Sequence, residues 1–491
     1  MSERVVVVGN GMVGHHFVTR LRESASTWSI TVIGEEPRVA YDRVHLSDVF
    51  ADRSADDLAL SSLAEYASWG VKLVLDDRVA SIDRAAQRVV TSRGRVFDYD
   101  HLVLATGSFP FVPPVPGRDH SACMTYRTVE DLTRISNCAA SSEVGVVIGG
   151  GLLGLECANA LKNLGLETHV VEFAPGLMGV QLNAGASAML RRKIEALDVA
   201  VRTSRATERI VDGVERKLRL EFSDGRSLET DMVVFSAGIR PRDDLARGAG
   251  LEVGERGGIV IDERCRTSDP RILAIGECAL YAGRIFGLMA PGYRMAEAAA
   301  DQLVGGATIF NGADMSTKLK LLGVDVGGIG DAHGRDADCL TFMYSDRKQQ
   351  TYQRLVTSGD GRRLLGAALV GDCRAYDMLL QYYQAGLDLP ADPETLLASH
   401  GEALATNPTR IPETALICNC HNVTKSDIHQ VLAAGACSLA DVRRATGASS
   451  GCGSCAERVQ AVIDASSRED RDSPPQSDDN GRQPLPTVQS A

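Results

Sequence analysis

The sequence writes one unit twice. Arg4-Val5-Val6-Val7-Val8 passes without a break into Gly9-Asn10-Gly11-Met12-Val13-Gly14, then a helical pattern to about Glu23 and a second apolar run, Ile30 to Ile33. From Gly9 to Gly149 is 140 positions, and there the order returns: Val144 to Ile148, Gly149-Gly150-Gly151-Leu152-Leu153-Gly154, a helical pattern to about Leu164, then His169-Val170-Val171. Short apolar runs bounded by glycine are strands covered on both faces, the environment of a parallel sheet. A strand, a glycine loop, a helix and another strand make a crossover unit. The pattern predicts an α/β chain with two Rossmann-like domains, a duplicated module rather than a solenoid, whose periods run 20–50 residues or so.

The loops carry chemistry as well as geometry. In each, the first glycine permits the tight turn, the second lets backbone N–H groups approach a pyrophosphate, and the third lets helix and strand pack closely; the helix N-terminus favours the anion. An acidic residue should close the second strand to hold a ribose hydroxyl. Glu35 (or Glu36) stands there after the first loop and Glu172 after the second. Two dinucleotide sites are most economically filled by FAD and a nicotinamide. Glu172 repels a 2′-phosphate, and Phe173-Ala174 supplies no arginine to receive one, so NADH is expected over NADPH.

The remaining chain narrows the setting. At about 150 residues per domain, 491 residues hold about three domains. A net charge of −12 argues against nucleic acid or an anionic membrane surface as partner. The longest uncharged apolar stretch, Val144 to Leu155, is 12 residues, rich in glycine and stopped by Glu156, well short of the 18 or so of a membrane span. Met1 leads straight into a strand with no signal-peptide pattern, so a cytoplasmic, reducing location is expected. There, clustered cysteines are ligands or catalysts rather than disulfides.

Cys418-Asn419-Cys420, 31 residues, and then Cys452-Gly453-Ser454-Cys455 form such a cluster. Four thiolates in two tight pairs suit a [2Fe–2S] cluster or a zinc ion. His421 is read as a surface or supporting residue, Cys437 as a small core residue, and Cys123, Cys138, Cys157, Cys265, Cys278, Cys339 and Cys373 as structural. The boundaries expected are 1–116 and 241–308 for the FAD-binding domain and 117–240 for the NADH-binding domain. An α+β domain over 309–410, a small helical cysteine-rich domain over 413–465 and a disordered tail over 466–491 complete the chain.

Residues 1 to about 410 resemble the FAD/NADH oxidoreductases related to ferredoxin and rubredoxin reductases, through GNGMVG, YDRVHLS (Tyr41 to Ser47), LATGS (Leu104 to Ser108), GGGLLGLE, SAGIRP (Ser236 to Pro241) and AIGE (Ala274 to Glu277). EEPRVAYDRVHLS and AIGECA bring the resemblance closer to the N-terminal half of NADH-dependent nitrite reductase large subunits and to electron-transfer subunits of assimilatory nitrate reductases. Residues 413–465, with Val442-Arg443-Arg444-Ala445-Thr446 ahead of the second cysteine pair, resemble the [2Fe–2S] domain of bacterioferritin-associated ferredoxin.

The resemblance implies that Gly9, Gly11, Met12 and Gly14 hold the FAD pyrophosphate, Glu35 the ribose, and Arg43, Val79, Thr106 and Gly107 the rest of the cofactor. Glu277 stands where the family has Asp against the ribityl chain. Gly149, Gly151, Leu153, Gly154, Glu172 and Gly238 fall to NADH, Cys418, Cys420, Cys452 and Cys455 to the cluster, and Glu156 to catalysis. Many relatives pair that glutamate with a lysine; this chain has Asp48 instead, which cannot make the pair. No cysteine precedes Cys123, so the redox thiols of disulfide reductases are absent and the flavin needs another acceptor. No sirohaem-binding half is expected after 465. The partner implied is a nitrate reductase catalytic subunit, or a nitrite reductase. A reductase for soluble ferredoxin or rubredoxin and an iron- or redox-responsive binding protein are the alternatives.

Overall fold

The computed structural model describes residues 3–24, 28–50, 53–398, 412–418, 421–450, 453 and 455–472. Its first lobe is built on a parallel sheet in the order Ile272–Ala274, His101–Leu104, Arg4–Val8, Ser29–Ile33, Lys72–Val74. Val5 to Val8 are buried between their neighbours, Val8 opposite both Ile33 and Leu104. The helices Met12–Ser24 and Met289–Leu303 pack on each other against this lobe. The chain leaves Arg4–Val8 in one direction along the sheet and returns on its other side, so the crevice beyond Val8 and Leu104 is the switch point where ligands bind.

The second lobe repeats the order: Val199–Arg202, Glu167–Val171, Val144–Ile148, Met232–Phe235, Cys123–Thr125, again parallel. Each lobe also carries a three-stranded antiparallel insert, Val79–Asp83 with Arg88–Thr91 and Val96–Asp98 in the first, Thr207–Asp212 with Leu218–Phe222 and Ser227–Thr230 in the second. The duplication therefore reaches beyond the glycine loops. The two crossings between lobes, Ser108–Pro110 and Ile239–Pro241, pair antiparallel.

The third unit is an antiparallel sheet, Thr317–Leu321, Val324–Gly330, Leu364–Val370, Thr351–Thr357 and Leu340–Asp346 in spatial order, followed by the helix Tyr376–Ala385. It sits on the second lobe. Tyr352 is buried in one apolar cluster with Ala186 and Leu190, and Asn183 Nδ2 donates to its hydroxyl at 2.9 Å. The small domain pairs Leu416–Cys418 with Val423–Thr424 and adds the helices Lys425–Ala433, Leu439–Thr446 and Ala456–Asp472. Ile417, Val423, Ile428, Val442, Val459 and Val462 are buried together as its core. Thr424 with Asp427 makes a capping box at the first of these helices, and Ser438 accepts from Asp441 N at the second.

Two expectations need correction. The disordered tail does not begin at Ser466: the last helix runs on to Asp472, because Ser466 to Asp472 contains neither glycine nor proline, and Pro474 is the first breaker. Residues 473–491 lie outside the described residues. Cys437 is not a core residue; it is exposed at the turn before the Ser438 cap, where its N–H donates to Asp441. Tyr352→Phe removes the one hydrogen bond described between its hydroxyl and Asn183 while keeping the buried ring. It should cost about 1 kcal/mol, read as a lower denaturation midpoint with an unchanged m-value.

Candidate cofactor and electron-transfer site

A cavity of about 640 Å³ opens at the switch point of the first lobe. Gly9 bends there at φ +113°, and a Cβ on it would fall inside contact with the Ala105 carbonyl. A Cβ on Gly14 would strike the Gly9 carbonyl in the same way. Gly11 is different: nothing lies within 4 Å of where its Cβ would be, and the helix Met12–Ser24 starts beside it, with His15 N–H bonded to its carbonyl. The loop thus has tight packing at its first and third glycines and an open face at the second, which fits a pyrophosphate on the helix N-terminus. FAD fits this cradle.

The expected first-lobe residues gather on the cavity. Met12, Glu35, Arg43, Val79, Thr106, Gly107 and Glu277 line it with Gly9 and Gly11, whereas Gly14 supports from behind. Of the two acids after the strand, Glu35 ion-pairs with Arg242, while Glu36 ion-pairs with Arg43 and accepts from Tyr41 Oη. Arg43 also stacks its guanidinium 4.9 Å from the Tyr41 ring. Thr106 Oγ1 donates to the Arg242 carbonyl at 2.7 Å, tying the two segments of the lobe together.

Glu277 does more than stand in for an aspartate. Its carboxylate accepts from Arg127 Nη2 at 2.5 Å and from Ser108 Oγ at 2.6 Å. The extra methylene lets it reach a guanidinium, and the same Arg127 nitrogen also donates to Ser108 at 3.0 Å. Arg127 was not among the residues singled out from the sequence, and Ser108 entered only as the last residue of the LATGS motif. A lone arginine ahead of a capped helix, Thr128 and Val129–Ala139, has no spacing that marks it.

The second loop copies the first. Gly149, at φ +122°, would strike the Ser236 carbonyl if it had a Cβ, Gly154 would strike Gly149, and Gly151 is open. Gly238 is also open, at φ +110°. Glu172 accepts from Gly150 N–H at 2.5 Å and Ala174 N–H at 2.7 Å, which fixes its carboxylate beside the loop with lone pairs to spare. This loop does not line the 640 Å³ cavity; its helix does, through Leu152, Leu153 and Glu156. Glu156 is half-buried, and burial pushes its carboxyl up to about 7, with Asp48 adding to the rise and His45 opposing it. Asp48 itself pairs with Arg53 at 3.1 Å.

The far end of the same cavity is formed by the small domain. Leu416, Cys418, Asn422, Cys455 and Arg458 line it. Cys418 and Cys455 are buried in one apolar cluster, and Cys455 immediately precedes the helix Ala456–Asp472, whose N-terminal amides favour a thiolate-bound group of net negative charge. Two buried thiols, Cys418 at the end of the strand Leu416–Cys418 and Cys455 at the helix start, fit a [2Fe–2S] cluster; Cys420 and Cys452 lie outside the described residues. His421 is neither a plain surface residue nor oriented at random. Its Nε2 meets Ser450 Oγ at 2.9 Å, and its ring lies 5.4 Å from Tyr293, which stacks on His16 at 4.1 Å.

Family models agree with this geometry. Residues 3–302 match the pyridine nucleotide-disulphide oxidoreductase model, 316–385 the rubredoxin NAD+ reductase C-terminal domain, and 416–465 the BFD-like [2Fe–2S] binding domain. The chain belongs to the pyridine nucleotide-disulphide oxidoreductase family. It is an FAD- and NAD(H)-dependent electron-transfer oxidoreductase with an attached [2Fe–2S]-binding module. It is 53% identical over 94% of its length to 48% of the nitrite reductase [NAD(P)H] large subunit of Klebsiella oxytoca. Identity is 48% over 94% of the chain to 55% of the nitrite reductase (NADH) large subunit of Escherichia coli K12. It is 32% over 94% to 59% of the assimilatory nitrate reductase electron transfer subunit of Bacillus subtilis. The chain thus spans about half the length of these relatives. Among solved structures, an NAD-dependent persulfide reductase from A. fulgidus matches 78% of this chain and 77% of its own at a TM-score of 0.72 and 27% identity. The reductase–putidaredoxin complex matches 82% and 97% at 0.71 and 25%. Among the described residues no helix is long and apolar enough to cross a membrane.

The contrast among the glycines is testable. Gly11→Leu should fold, since its side chain enters open space, yet hold FAD at less than a tenth of the wild-type ratio by flavin absorbance. Gly14→Leu should lower the yield of folded protein itself, because it drives the helix off the strand.

Proposed function

We propose that this chain takes electrons from NADH onto FAD and passes them through its [2Fe–2S] module to a nitrate reductase catalytic subunit, or to a nitrite reductase. Bound FAD supplies the conversion of a two-electron hydride into single electrons. The observation that carries the reading is that Gly9, Gly11 and Thr106 of the flavin cradle and Cys418 and Cys455 of the small domain line one continuous cavity. The likeness to nitrite and nitrate reductase proteins over 94% of the chain supports the choice of partner. Eight cysteines outside the cluster motif, among them Cys123, Cys157 and Cys265, are free thiols, and we place the protein in the reducing cytoplasm on that ground.

In this reading the chain's own groups divide the work. The Gly11 amide face and the helix start hold the pyrophosphate, and Arg127 and Ser108 hold Glu277 at the wall where the ribityl chain is to lie. Glu172, fixed by Gly150 and Ala174, selects the free ribose of NADH. Glu156 stands at the wall between the second-lobe helix and the flavin cavity. With its carboxyl at about 7, it is neutral and able to donate a proton at low pH, and an uncompensated anion at high pH.

Reconstitution decides the function. NADH-dependent nitrate reduction should require this chain plus the catalytic subunit, and truncation at residue 410 should abolish it while sparing flavin reduction by NADH. Nitrate reduction at full rate by the truncated chain would instead favour direct delivery from the flavin, as in a ferredoxin or rubredoxin reductase. Glu172→Ala should narrow the NADH preference in kcat/KM about tenfold or more, the worth of one charged hydrogen bond at about 1.5–3 kcal/mol; a wild-type preference for NADPH would refute the assignment. The rate of flavin reduction by NADH should fall as pH rises through about 7, and Glu156→Gln should flatten that profile. An inflection that survives in Glu156→Gln belongs to another group.

A further inference from the structure

Where the small domain meets the rest of the molecule, three charges meet out of bulk water. Arg458 lies three residues after Cys455, in the first turn of the helix Ala456–Asp472. Its Nε is 3.5 Å from Asp377 Oδ1, and the other Asp377 oxygen accepts from Lys318 Nζ at 2.9 Å. Asp377 lies in the first turn of the helix Tyr376–Ala385 and Lys318 sits on the strand Thr317–Leu321, both in the third unit. The side chains are 17%, 20% and 28% exposed. All three line the cavity end into which Cys418 and Cys455 open.

We propose that Asp377, clamped by Lys318, is the anchor that positions the [2Fe–2S] module on the flavin cavity through Arg458. The proposal rests on the flavin-to-cluster route given above. Lys318 already neutralises Asp377, so stability of the third unit alone does not call for Arg458. Arg458 in turn belongs to the turn that follows Cys455, so holding its guanidinium restrains the helix start beside that thiol. Electron transfer slows steeply with distance, which makes a contact one helical turn from a ligand a natural control point. Two lesser contacts brace the same seam: Gln381 Nε2 donates to the Leu416 carbonyl at 3.3 Å, and Tyr293 packs on His421.

The contact is also built to release. Arg458 Nε and Asp377 Oδ1 are both shielded from solvent and neither has a hydrogen-bond partner among the described residues. Their attraction at 3.5 Å therefore offsets desolvation incompletely, and parting them returns both atoms to water. A half-compensated pair holds the module in register without locking it there. Lys318, Asp377 and Arg458 act through the module's position and are positioning residues.

The test uses full-length protein loaded with FAD and iron. Arg458→Glu sets two carboxylates against each other, and the double variant Arg458→Glu/Asp377→Asn removes that repulsion and leaves Lys318 free to pair with the new carboxylate. We expect Arg458→Glu to speed amide hydrogen exchange in 376–385 and 416–418, and to slow bleaching of the cluster by NADH at least tenfold in anaerobic stopped flow. Flavin bleaching and iron content should stay unchanged, and the double variant should recover both exchange and rate. Asp377→Asn, which lies outside the cluster domain, must shift exchange and cluster bleaching the same way, and decides the matter if Arg458→Glu loses iron. Unchanged exchange and unchanged cluster bleaching in these variants overturn the proposal. If NADH never bleaches the wild-type cluster, the route fails, and exchange alone judges the anchor: faster in both single variants supports it, unchanged overturns it.

Discussion

At Gly9 the turn after the first strand lies against the backbone of Ala105, and at Gly149 the matching turn lies against Ser236. In both places two peptide backbones approach more closely than any side chain allows, and the third glycine of each loop, Gly14 or Gly154, lets the helix close down on that turn. Much else follows from this approach. It brings the helix N-terminus to the carboxyl end of the parallel sheet, leaves Gly11 and Gly151 facing open space, and sets the following acid at the rim. The hydrophobic sheet beneath, Val5 to Val8 in one lobe and Val146 and Val147 in the other, gives the turn a rigid base.

The cavity above that base is lined by charges that are mostly answered within the protein. Arg43 is paired with Glu36, Arg127 with Glu277, Arg242 with Glu35, and Lys318 with Asp377. Groups held in pairs before any ligand arrives need little reorganisation when it does, and a low-dielectric wall makes their fixed dipoles count for more than they would in water. In the proposed placement the pyrophosphate would be met by backbone amides at Gly11 rather than by a loose cation, which leaves the arginines to orient carboxylates.

The lobes and the first-lobe side of the cavity were legible because their signals are local. A glycine loop between an apolar strand and a helix is a statement about backbone contact, and it fixes its own surroundings. Arg127 was not legible: it sits 150 positions from its partner Glu277, and only the fold joins them. The second loop showed the limit from the other side. Its glycines repeat the geometry of the first loop, yet only Leu153 and Glu156 among the residues picked from that unit line the 640 Å³ cavity. The last helix ran past its expected end because polar residues without a breaker do not stop a helix that is already anchored by Val459, Val462 and Ile463. The placement of the small domain had no sequence signal at all, since Arg458, Asp377 and Lys318 carry no motif.

The wall around Glu156 shows what a single exchange at a distance does to chemistry. With a lysine beside it, a buried glutamate is held ionised and the pair is neutral at every ordinary pH. Here residue 48 is an aspartate, drawn to Arg53 and away from that role. His45, whose charge opposes a rise at Glu156, is itself held by Asp42 at 2.8 Å. Burial then dominates, and the Glu156 carboxyl rises to about 7. The neutral form is the one this fold favours: the stabilisation it brings is complete below the ordinary glutamate range and is lost as pH rises through about 7. Among the paired charges of the cavity, Glu156 is thus the group whose charge changes near neutrality. Where the resemblance implies a fixed ion pair, the wall facing the second lobe holds a titrating acid, and any reaction that builds negative charge beside it will feel that acid directly.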